Sequence, residues 1–179
     1  MGLGQTMLVV AAIMLLTRLV VGTRTVAMDH QAALDLSNYR IHAVGVGSYV
    51  MNEIALKSFD EKTKGQSAVV ISSSEFTSAD SLGIETGEDV TNKDTFDDID
   101  DYKNYVGMDT SYIPYTYFVK VEYVDLDTLQ SPWEIVSANN NRTFYKRINI
   151  DVYSPYLKDE YSKSTLGDTL HFSRVQSYF

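Results

Sequence analysis

Residues 1–17, MGLGQTMLVVAAIMLLT, carry no charged side chain, and after Arg18 the apolar run continues through Leu19-Val20-Val21-Gly22. Such a stretch is unstable in water and must be covered by something, so it constrains the rest of the chain first. Three readings compete. A secretory signal peptide would have a basic n-region, which residues 1–6 lack, and its small-residue site, Thr25-Val26-Ala27, lies beyond Arg18 and Arg24. A core helix that is apolar on every side needs more surrounding protein than 179 residues supply. A membrane-spanning helix needs about 20 apolar residues. Residues 1–22 reach that length with Arg18 near one end, where its aliphatic stem can carry the charge to the headgroups.

Beyond the apolar run the chain has no Pro and few breakers as far as Phe59. Ala32, Ala33, Leu36, Tyr39, Ala43, Val46, Val50, Ile54 and Leu56 recur mostly three and four residues apart, as one helix face requires. Asp60-Glu61-Lys62-Thr63-Lys64-Gly65 is polar and ends in Gly, a stop signal. The pattern predicts one continuous helix over about 1–58, roughly 80–85 Å long at 1.5 Å per residue. It divides the chain into an apolar assembly or membrane segment, 1–24, and an α+β head, 25–179.

The head is predicted from alternation. Tyr115 to Val124 places Val119, Val121 and Tyr123 on one face, with Lys120 and Glu122 on the other. Thr143 to Tyr153 places Phe144, Ile148, Ile150 and Val152 inward, with Lys146 the exception on that face. Asp168 to Phe179 is the third such run, with Leu170, Phe172 and Val175 as its buried positions. Three strands separated by Asn139-Asn140-Asn141 and by Ser154-Pro155 read as an antiparallel sheet, covered by the amphipathic half of the long helix. Residues 66–72 read as a further strand or an extended piece, and Ser73 to Lys93 as a surface loop.

Composition excludes several functions. Fifteen Lys and Arg against 24 Asp and Glu give a net charge of −9, the wrong sign for nucleic acid. The absence of Cys removes disulfides, thiolate metal sites and cysteine nucleophiles, and His30, His42 and His171 match no metal-ligand spacing. Gly45 and Gly47 lack the strand-turn-helix context of a nucleotide loop and point to close approach of another element. No catalytic set emerges, and neither an enzyme nor a cofactor is expected. Residues 94–109 hold six Asp and one Lys, over half the net charge. One reading is a Ca²⁺ site with Asp97, Asp98, Asp100 and Asp101 as ligands. The simpler reading is a solvated acidic turn that docks Phe96, Ile99 and Tyr102 on the core. Asn141-Arg142-Thr143 is an N-glycosylation sequon by pattern. The 13 tyrosines read mostly as sheet and core residues, with some at subunit contacts.

Met7-Leu8-Val9-Val10-Ala11-Ala12-Ile13-Met14-Leu15-Leu16 resembles the N-terminal helix of type IV pilins and pseudopilins, closely over about residues 1–25 and by architecture over 1–58. The resemblance implies a mature chain that starts at an N-methylated Met1, with Gln5 where the family has Glu. Gln keeps a hydrogen-bonding group without the charge that pairs with a neighbour's amine. A start at Gln5, after Gly4, is the second register. The implied assembly residues are Met1, Gln5, Met7, Leu8, Val9, Val10, Ile13, Leu15, Leu16 and Arg18. Arg18 either reaches the headgroups or pairs with Asp29 or Asp35 of a neighbour. The implied partners are other copies of the chain in a helical homopolymer, and before polymerisation the inner membrane and the pilus assembly machinery. The expectation is an extracellular filament subunit that is a single-pass membrane protein before assembly. The alternatives are an anchored extracytoplasmic binding or adhesion protein, or a secretion-system pseudopilin.

Overall fold

The computed structural model describes residues 2–63, 70–85, 87–127, 134–137, 141–158 and 168–179. The long helix is present as α1, Leu3–Ala55. Nothing in its sequence interrupts it, and its hydroxyls fold back on its own carbonyls. Thr17 Oγ1 donates to Ile13 O at 2.8 Å and Thr25 Oγ1 to Val21 O at 3.0 Å. It ends by tightening: Leu56 N–H donates to Glu53 O at 3.3 Å and Lys57 N–H to Ile54 O at 3.1 Å. The stop therefore precedes the polar 60–65 run, whose last two residues lie outside the described ones.

The chain forms two compact units, Met1–Arg40 and Ile41–Phe179. The boundary expected at 24/25 marks the end of the apolar run; the compact units divide later. In the first unit α1 is exposed nearly throughout, and by length and composition α1 is long and apolar enough, near the N-terminus, to cross a membrane.

The second unit is α+β. Its part of α1 buries Ala43, Gly47, Val50, Met51 and Ile54, spaced four, three, one and three apart, and this stripe packs on the sheet. The predicted stripe is longer than the buried one: Leu36, Tyr39 and Val46 are half-buried, while Ala32, Ala33 and Leu56 are exposed. Gly47 is in the stripe because a Cβ there would run into the Phe172 ring. Gly45 has nothing within 4 Å, so close approach accounts for one of the two glycines only.

The sheet is antiparallel, with β1 (Val106–Asp109), β2 (Tyr115–Asp127), β3 (Glu134–Ser137), β4 (Tyr145–Tyr153) and β5 (Thr169–Ser177). The order is β1-β2-β4-β5, with β3 pairing β2 at its other end. The three predicted strands are β2, β4 and β5. β1 and β3 are four residues each, too short to show a period. Register places Val119 opposite Ile150 and Val121 opposite Ile148, all fully or almost fully buried, so the inward faces of β2 and β4 form the core. Phe144, Leu170, Phe172 and Val175 are half-buried, toward the sheet's edge.

Between helix and sheet the chain is mostly irregular. Residues 70–72 form no strand. The 73–93 loop is polar at its surface yet sends Phe76, Thr77 and Leu82 into the interior. The acidic run is stitched to the segment leaving the helix: Ser58 N–H donates to Asp97 O at 3.2 Å and Ile99 N–H to Ser58 O at 3.0 Å. Phe96, Ile99 and Tyr102 are each 1% exposed, so the predicted docking of this run holds.

Candidate functional site

Two features of the molecule invite a functional reading, one in each unit. The first is the apolar helix surface. Met7, Leu8, Val9, Val10, Ile13, Leu15 and Leu16 are all exposed, Leu8 and Leu15 at 72%. They occupy every side of the helix rather than one stripe. Gln5 and Arg18 are exposed as well, and Arg18 makes no ion pair among the described residues. Asp35, one of its expected partners, accepts from Gln31 Nε2 at 3.0 Å within the same helix. Met1, the expected N-methylated residue, lies outside the described residues.

The second feature is a cluster of carboxylates in the α+β unit. The run 97–101 is not the solvated face that its composition suggests: Asp98, Asp100 and Asp101 are fully buried. The cause is local hydrogen bonding. Asp98 Oδ1 accepts from the backbone N–H of Asp100 at 2.7 Å and of Asp101 at 3.3 Å. Asp101 Oδ2 accepts from the N–H of Asp97 at 2.9 Å and of Asp98 at 3.0 Å. The carboxylates thus cap the turn they belong to and go inward with Ile99 and Tyr102.

Lys146, the apolar-face exception of β4, is the counter-charge. Its Nζ, fully buried, donates to Asp100 Oδ1 at 2.7 Å, to Asp60 Oδ2 at 3.3 Å and to Phe59 O at 2.6 Å. Asp60 is satisfied on both oxygens: Thr77 N–H and Oγ1 donate at 2.9 and 3.1 Å, and Tyr123 OH at 3.2 Å. Among the described residues, the other three buried aspartates each keep one oxygen, Asp98 Oδ2, Asp100 Oδ2 and Asp101 Oδ1, sealed from solvent with no hydrogen-bond donor. Glu85 Oε2 is in the same condition.

These groups converge. One oxygen from each of Glu85, Asp98 and Asp100 lies within 4.8 Å of the others, and Glu85, Glu88 and Asp101 form a second such triad. Both are all-oxygen sets from half-buried glutamates at the rim and buried aspartates beneath. Burial pushes Asp98 up to about 9, with Asp100 and Asp101 adding to it and Lys146 opposing. Burial, then Asp101, pushes Glu85 up to about 8, and Glu88 is raised for the same reasons.

Of the four expected ligands, Asp98 and Asp100 share one triad, Asp101 is in the other, and Asp97 belongs to neither. Sequence reasoning misses Glu85 and Glu88, because a polar loop gives no sign of which carboxylates turn inward. The available signal is Lys146, an inward cation on a strand, which demands buried anions. His171 sits on an exposed face, its Nδ1 2.6 Å from Asp151 Oδ1 across the β4–β5 pair. Asn141 of the sequon is exposed. Comparison with protein-family models, curated proteins and solved structures finds no match.

Proposed function

We propose that this chain is the structural subunit of a helical filament of the type IV pilus class, held in a membrane by its N-terminal segment before assembly. One observation carries the reading: an uninterrupted 53-residue helix whose N-terminal aliphatics are exposed on every side and whose C-terminal end covers a sheet. Burying a large aliphatic side chain is worth about 1.5–3 kcal/mol. Bundling the apolar segments of many copies removes all of these side chains from water at once, and a bilayer does the same for a single copy. A chain of this design is stable in either setting, as a subunit stored in a membrane and then polymerised must be.

The bilayer alone also supports a simpler alternative, a single-pass protein with an extracytoplasmic binding or adhesion unit that never polymerises. Negative-stain microscopy of material sheared from the cell surface, with immunogold against this chain, separates the two. Labelled filaments are expected. A chain that stays with the membrane fraction and decorates no filament overturns the assembly reading in favour of the anchored one.

A further inference from the structure

We propose that the carboxylate cluster of the α+β unit is a calcium site, built on Asp98, Asp100 and Asp101 and closed by Glu85 and Glu88. A group of acidic side chains at a surface would not support this, because water satisfies them. Here Asp98, Asp100 and Asp101 are fully buried, and when they are ionised one oxygen of each meets no donor among the described residues. A buried carboxylate oxygen without a donor is costly, and neighbouring ones repel. Among the described residues, four fully buried aspartates, Asp60 included, face one fully buried cation, Lys146, which is already engaged by Asp60 and Asp100. The interior is short of positive charge where the unused oxygens lie.

The arrangement is pre-organised. Asp98 and Asp101 are each held through one oxygen by backbone N–H groups, and Asp100 through one oxygen by Lys146. The second oxygen of each is left in a fixed place, as a rigid ligand requires. With only oxygen donors the ion must be hard, and Ca²⁺ is to be weighed against Mg²⁺ and the similarly octahedral Mn²⁺. Mg²⁺ keeps several waters and takes one or two carboxylates in a strict octahedron; Ca²⁺ accepts six to eight oxygens in loose geometry. Five carboxylates from two separate stretches, two of them half-buried, fit Ca²⁺. Both triads contain Glu85, so it either completes one site or bridges two ions. The bound ion ties Glu85 and Glu88 to the 98–101 turn.

The test uses the full chain in detergent at neutral pH, by calorimetric titration with CaCl₂ and by melting in CaCl₂ or in EGTA. Saturable binding of one or two ions per chain is expected, with the melting temperature about 5–10 °C higher in saturating Ca²⁺ than in EGTA. Asn at 98 or 101 could disturb the turn, so the diagnostic variant is Glu85→Gln, on the half-buried rim. It should weaken Ca²⁺ binding about tenfold or more while leaving the melting temperature in EGTA equal to or above that of the unaltered chain. Equal melting temperatures with no saturable binding would mean that the carboxyls neutralise one another by sharing protons, and would overturn the proposal. So would Mg²⁺ binding as tightly as Ca²⁺, or Glu85→Gln binding Ca²⁺ unchanged.

Discussion

Two glycines two residues apart in α1 test how far a single Cβ matters. Gly45 has open space around it, so Gly45→Ala should raise stability by up to about 1 kcal/mol through helix propensity alone. At Gly47 the same gain is set against a Cβ driven into the Phe172 ring, so Gly47→Ala should lower stability, by about 1 kcal/mol net. Chemical denaturation of the two variants checks the difference in sign. Lys146 is the other decisive residue. Lys146→Met keeps the volume but leaves Asp60 and Asp100 buried without their cation, and should cost about 3–5 kcal/mol. A variant as stable as the unaltered chain would show that those aspartates are held neutral. The sequence alone marks Lys146 as an anomaly on a buried face. It does not identify the partners, since Asp100 is 46 positions away and Asp60 is 86.

At the scale of elements, legibility tracks length. β2, β4 and β5 run nine residues or more, long enough for alternation to show in the sequence, and all three are predicted from it. β1 and β3 are fixed by the strand they pair with, a non-local fact. In β1, Gly107 sits opposite Tyr117, where any Cβ would run into the phenol ring. Burial, then Tyr105, raises the Tyr117 phenol above its ordinary 10.0. The unfolded chain therefore releases this proton before the folded chain does. The stability this implies is intact below pH 10 and is lost as pH rises above it. Tyr117→Phe should accordingly show a shallower loss of stability between about pH 10 and 12, measured by denaturation at each pH. The acidic turn is half-legible. The three-residue spacing of Phe96, Ile99 and Tyr102 predicts docking, but a run of aspartates reads as solvated until the backbone donors that hold it inward are seen.

For the whole molecule, the apolar segment and the α+β unit should be separable. Every described side chain in residues 1–24 is exposed, so the chain without them should stay folded and sediment as a monomer without detergent. Filaments from that truncated chain would place assembly in the α+β unit instead. Leu15→Lys should leave the circular dichroism and melting of the α+β unit unchanged while abolishing filaments, since a lone ammonium in a dry bundle has neither water nor partner. Filaments at normal yield would show that this surface is not where copies meet. Finally, the ammonium of β4 joins the segment that follows the helix, the acidic turn and the sheet, with its bond to Phe59 spanning 87 positions. Such a knot closes only after the helix end, the acidic turn and the sheet have each taken shape. It therefore belongs to the late part of folding, and changes there should speed unfolding far more than they slow folding.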